Sequence, residues 1–171
     1  ELTDPERTEA IDYLLASHHH PGKWAAIGQF HFACVHFPIA LSLAAGFLEL
    51  LLIFRRQSPA VDATHWIVRL AAWSALPAIL FGLCLMEDKE TYPPTLAMHR
   101  NLGLLSGGLL LTAWILRERL VRRPSDRRRI AYRSILLLAI VVVGFTGHLG
   151  GVLVHGDYVE QIQHAWIRPA S

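Results

Sequence analysis

Residues 32–54 read FACVHFPIALSLAAGFLELLLIF and end against Arg55 and Arg56. A helix of about 20 mostly apolar residues crosses the hydrocarbon core of a bilayer, so this stretch is long enough to span one. Three further runs follow at 66–86, with Pro77 inside it, at 98–116, which stops at Arg117, and at 134–154. The spacing predicts an all-α integral membrane protein, a four-transmembrane-helix bundle over residues 30–156. Composition agrees, with 53% hydrophobic and 18% charged residues in 171 and a mean hydropathy of +0.34. A soluble core of this size cannot hide that much apolar surface.

Lys and Arg in short connections orient a membrane protein, because basic residues stay on the cytoplasmic side. Eight arginines, at 117, 119, 122, 123, 127, 128, 129 and 133, fall between spans three and four. Arg55, Arg56 and Arg69 flank the connection between spans one and two, whereas 87–97 carries Glu87, Asp88 and Glu90 against Lys89. The expected orientation places both termini and the acidic loop outside, in the periplasm of a bacterial inner (plasma) membrane. Pro124-Ser125-Asp126 reads as a turn between two short basic arms of a solvated loop. An N-terminus outside requires translocation, hence a signal or upstream element ahead of Glu1.

Flanking segments are polar. Residues 1–29 form an expected periplasmic segment, with a capping box at Thr3-Asp4-Pro5-Glu6 opening a short helix over 4–16. Residues 157–171 form a periplasmic tail with a second short helix. The net charge of +2 and the gathering of arginines in one region argue against nucleic-acid binding. The chain has Cys34 and Cys84 but no Cys-x-x-Cys-His, which excludes covalent c-type haem attachment within it. The two cysteines fall near the same end of adjacent spans, as free thiols or as a disulfide. No internal repeat is evident from the residues.

Histidine placement carries the functional signal, since ionisable groups inside a membrane are costly and mark functional sites. Counting from the arginine-marked ends at about 1.5 Å per residue puts His36 and His99 roughly 27 Å up, His148 roughly 22 Å and His155 roughly 33 Å. These four converge near the exterior face. Each sits on a helix face of small residues: His36 with Ala40 and Ala44, His99 with Gly103 and Gly107, and Gly144, His148, Gly151 and His155 in one row. A bis-imidazole haem b needs ligands from opposing helices and room for a flat ring. His36 with His99 is the preferred pair, pairing of either with His148 is the alternative, and Gly103, Gly144 and Gly151 would lie against the macrocycle. His148 and His155 share a face and cannot both be axial to one iron. Met86 is a weaker ligand candidate. His31 and the run His18-His19-His20 are read as lying outside the membrane; His65 and His164 stand apart from the cluster.

His36-Phe37-Pro38-Ile39-Ala40-Leu41 and Gly150-Gly151-Val152-Leu153-Val154-His155-Gly156 resemble a bacterial family of small four-helix membrane domains, catalogued as a domain of unknown function. The resemblance covers about residues 28–158. It implies a first span that opens with His-Phe-Pro-Ile and a last span that closes with a Gly-Gly pair. It also implies a setting beside planctomycete-type cytochrome c domains, hence redox work without assigned ligands.

The expected function is a b-type haem-binding subunit for electron transfer near the periplasmic face, holding one or two haem b groups. Its expected partners are a c-type cytochrome or other subunits of a membrane redox complex, quinol, and the lipid bilayer. An electron-transfer subunit fits better than a stand-alone enzyme, since no HExxH, P-loop or nucleophile-elbow motif is present. The alternatives are a structural anchor or assembly subunit with no cofactor of its own, and a copper-handling protein using the same cluster.

Overall fold

A computed structural model describes residues 23–54, 60–86 and 94–155. The expected helix at 4–16, the His18-His19-His20 run, the acidic residues 87–90 and the tail 157–171 lie outside the described residues, as does the His155 side chain. Six helical segments follow in order: α1 (Lys23–Gly28), α2 (His31–Cys34), α3 (His36–Phe54), α4 (Ala60–Cys84), α5 (Pro94–Arg122) and α6 (Asp126–His155).

The first three segments form one apolar helical run, Ala26–Phe54, and its start corrects the expectation that the span opens at Phe32. Pro38 has no N–H to give to the Cys34 carbonyl, so the helical ladder is interrupted at Val35. The axis nevertheless continues, because Val35 N–H donates to His31 O at 3.0 Å and Ile39 N–H to Val35 O at 3.3 Å. His31 therefore belongs to the membrane helix and not to the segment before it.

The arginine-rich region is also not the loop expected over 117–133. Arg117–Arg122 completes α5 and Asp126–Arg133 opens α6, leaving only residues 123–125 as the connection. Local chemistry accounts for so short a turn. Pro124 cannot continue α5, Ser125 Oγ accepts the Arg128 N–H at 3.3 Å as an N-cap, and Asp126 places an acid in the first turn of α6. Arg128 reaches back to donate to the Arg123 carbonyl at 2.6 Å, which satisfies a terminal acceptor of α5.

Helices α3, α4, α5 and α6 form a ring in which each contacts the next and α6 closes onto α3; α3 stands diagonal to α5, and α4 to α6. The interior is built from small residues, with Ala45, Ala71, Ala72, Ala113 and Ala139 fully buried, while Phe37, Phe47, Leu80, Leu137 and Phe145 face outward and are more than 60% exposed. Small residues inside and large apolar residues outside is the distribution expected where lipid covers the surface. Three helices, over Ala26–Phe54, Ala63–Cys84 and Asp126–Val154, are long and apolar enough to cross a membrane. The third run of the sequence falls short of that measure within α5 because His99, Arg100 and Asn101 precede its apolar stretch and Arg117, Glu118 and Arg119 follow it.

The two hairpins, α1–α4 and α5–α6, correspond in the placement of buried residues, a pattern the residues alone did not show. Positions in the first align with the second at a shift of 68, the separation of His31 from His99 and of Ala78 from Thr146. Under this shift Ala45 pairs with Ala113, Thr64 with Tyr132, Val68 with Leu136 and Ala71 with Ala139, and every one of these is buried. Two of these four pairs keep their alanine and the other two keep only their burial, since apolar residues interchange readily in a membrane helix.

Candidate functional site

At one end of the bundle two imidazoles, one from each hairpin, come together. His31, from the first hairpin, and His99, from the second, have ring centres 6.2 Å apart and planes at 90°. His31 Nδ1 lies 2.7 Å from the Ala78 carbonyl oxygen of α4. His99 Nδ1 lies 3.0 Å from the Thr146 carbonyl oxygen of α6. Both bonds span 47 positions, so each histidine is held in the same way by the second helix of its own hairpin.

A carbonyl only accepts, so Nδ1 carries the proton in each neutral ring and Nε2 is left with its lone pair. Histidine ligands of metals are oriented in this manner, with the second nitrogen fixed by a backbone carbonyl. One turn beyond each carbonyl stands a glycine. A Cβ at Gly82 would come within 2.9 Å of His31 Cε1, and a Cβ at Gly150 within 3.0 Å of His99 Cε1. A side chain at either position would require the ring to shift from where it now lies.

Of the residues singled out from the sequence, His99 is inside and half-buried, whereas His36 and His148 are exposed on the outer surface of the bundle. His99 is therefore brought against His31 and not against His36. Gly144 is exposed with no atom within 4 Å of its Cβ position, Gly103 has only the Thr146 methyl at 3.8 Å, and Gly151 is half-buried. Cys34 and Cys84 are free thiols, and Met86 is buried. Among the described residues no three or more His, Cys, Asp or Glu side chains gather at one point. His31 was missed because the span was opened one residue too late; its place four residues before Val35, in step with the helix, was the available signal.

The opposite end holds a buried ionic layer that the sequence reading also passed over. Arg117 Nη1 donates to Glu49 Oε1 at 3.3 Å, and Arg133 Nε donates to Glu49 Oε2 at 2.8 Å. Glu49 and Arg117 are both 5% exposed, and the Arg117 guanidinium lies 5.2 Å from the centre of the fully buried Tyr132 ring. A second pair, His65 Nε2 to Glu118 Oε2 at 3.5 Å, joins α4 to α5. Each junction between hairpins is thus closed by a basic group on the second helix of one and a glutamate on the first helix of the other. Glu49, an acid inside an apolar run, was the sequence signal.

No curated protein and no solved structure matches this chain. The family model described as a predicted membrane protein, DUF2231, matches residues 29–162, a stretch that contains the four long helices, His31, His99 and the ionic layer, and the chain accordingly belongs to that family of membrane proteins of unknown function.

Proposed function

We propose that this protein is a b-type haem-binding membrane subunit for electron transfer, with the iron held between His31 and His99. The observation that carries the reading is the neighbouring pair itself, at 6.2 Å between ring centres with both Nδ1 groups tied to carbonyls. A metal about 2 Å from each of two imidazole nitrogens sets those nitrogens about 4 Å and the ring centres about 6 Å apart. Two imidazoles are too few for a structural zinc site built from protein alone, but they are the whole protein share of a six-coordinate haem. The macrocycle supplies the other ligands and the redox chemistry; His31 and His99 hold it, and the helices exclude water.

In this reading all four long helices cross a bacterial inner membrane. The arginine end is cytoplasmic, and the histidine end and both termini are periplasmic. A haem near one face does not carry electrons across the membrane unaided. It exchanges them with a c-type cytochrome, with other subunits of a redox complex, or with quinol, in keeping with the cytochrome c neighbourhood that the His-Phe-Pro-Ile resemblance implies.

A reduced-minus-oxidised absorption spectrum of the purified, haem-supplied protein tests the proposal. The expected result is a b-type signal that His31→Ala and His99→Ala each abolish and that His36→Ala and His148→Ala leave in place. Folded wild-type protein with no such signal overturns the haem reading in favour of an anchor or assembly subunit; a signal that survives loss of both axial residues overturns the ligand pair.

A further inference from the structure

We infer that Gly82 and Gly150 are positioning residues that set the two imidazole planes at right angles, and so fix the electronic state of an iron bound between them. The inference rests on the haem reading above and adds ligand orientation to it.

Each ring is fixed from two directions by one helix. The carbonyl of Ala78 holds Nδ1 of His31, and that of Thr146 holds Nδ1 of His99, at 2.7 and 3.0 Å. Four residues on, the bare backbone of Gly82 or Gly150 meets the ring at Cε1. A hydrogen bond at one atom and a wall at the next leave the plane little freedom to turn about χ2. The shift of 68 that relates the hairpins carries His31, Ala78 and Gly82 onto His99, Thr146 and Gly150, so the same clamp is built twice. The outcome is the 90° angle between the rings.

That angle has a chemical consequence. In a low-spin ferric haem each axial imidazole interacts through its π system with one of the two iron d orbitals that lie out of the macrocycle plane. Parallel rings act on the same orbital and split the pair. Perpendicular rings act on one each and leave the two nearly equal in energy, which preserves orbital angular momentum. The first case gives a rhombic electron paramagnetic resonance spectrum with three resolved features; the second gives a strongly anisotropic signal dominated by one feature at low field. Axial-ligand geometry is among the levers by which a protein sets haem properties.

Alanine at either glycine would place a methyl where the ring edge now lies. The ring is the movable partner, so it turns while the backbone stays. The experiment is electron paramagnetic resonance of the ferric, haem-supplied full chain at low temperature, beside its absorption spectrum. Wild type is expected to show the single low-field feature. Gly82→Ala and Gly150→Ala are expected to keep their b-type absorbance while that feature shifts toward the rhombic pattern. Gly108→Ala, whose Cβ enters open space, is expected to match wild type. A rhombic wild-type spectrum overturns the inference and leaves the haem reading intact. So does an unshifted signal in both alanine variants, and so does loss of haem in both, since a turned ring still ligates. Absence of b-type absorbance in folded wild type overturns the haem reading itself.

Discussion

Single residues decide how the buried charge is tolerated. Glu49 spends one carboxylate oxygen on Arg117 and the other on Arg133, which is how an acid survives within an apolar helix. Removing one partner of a buried ion pair leaves the other uncompensated, at a cost of about 3–5 kcal/mol. Glu49→Ala is therefore expected to lower the thermal midpoint in detergent steeply, because it strands the buried Arg117. Arg133 is one-third exposed and can turn to water, so Arg133→Ala is expected to cost clearly less than Glu49→Ala in the same unfolding measurement. Equal losses would show that the layer does not distinguish its buried and exposed members. This layer was legible only in part: the cost of Glu49 in residues 32–54 follows from the sequence, but its partners sit 68 and 84 positions away.

At the scale of the element, neighbouring glycines on α5 have opposite duties. Gly107 is buried, and a Cβ there would collide with Cδ1 of Ile79 on α4, whereas the Cβ position of Gly108 has no atom within 4 Å. Forcing side-chain bulk into a packed seam costs about 1–3 kcal/mol. Gly107→Val is expected to lower the thermal midpoint and Gly108→Val to leave it within error, which differential unfolding in the same detergent reads directly. The α5–α6 turn makes a second case. Ser125→Ala removes the N-cap of α6 and is expected to cost about 1 kcal/mol. Helix existence was readable from the apolar runs, yet their ends were not: arginines expected in a loop are helical because the turn chemistry of Pro124, Ser125 and Asp126 needs only residues 123–125.

For the molecule as a whole, the described chain is two hairpins, with a histidine from each at one end and Glu49 against Arg117 at the other. In the proposed orientation the turn at 123–125 faces the cytoplasm. A cysteine placed at Ser125, in a background where Cys34 and Cys84 are serine, is expected to resist a membrane-impermeant maleimide in intact cells and to react after permeabilisation. Labelling of intact cells would reverse the orientation. The sequence by itself determined the membrane class and the helices, because hydropathy is a sum over single positions. It pointed to His36, His99 and His148 because depth along an axis is also such a sum. Which histidines face inward is a matter of rotation about each helix, and that is set by packing against three neighbours. Only the tertiary structure turned His36 and His148 outward, brought His31 to His99, and showed the matching burial of the two hairpins.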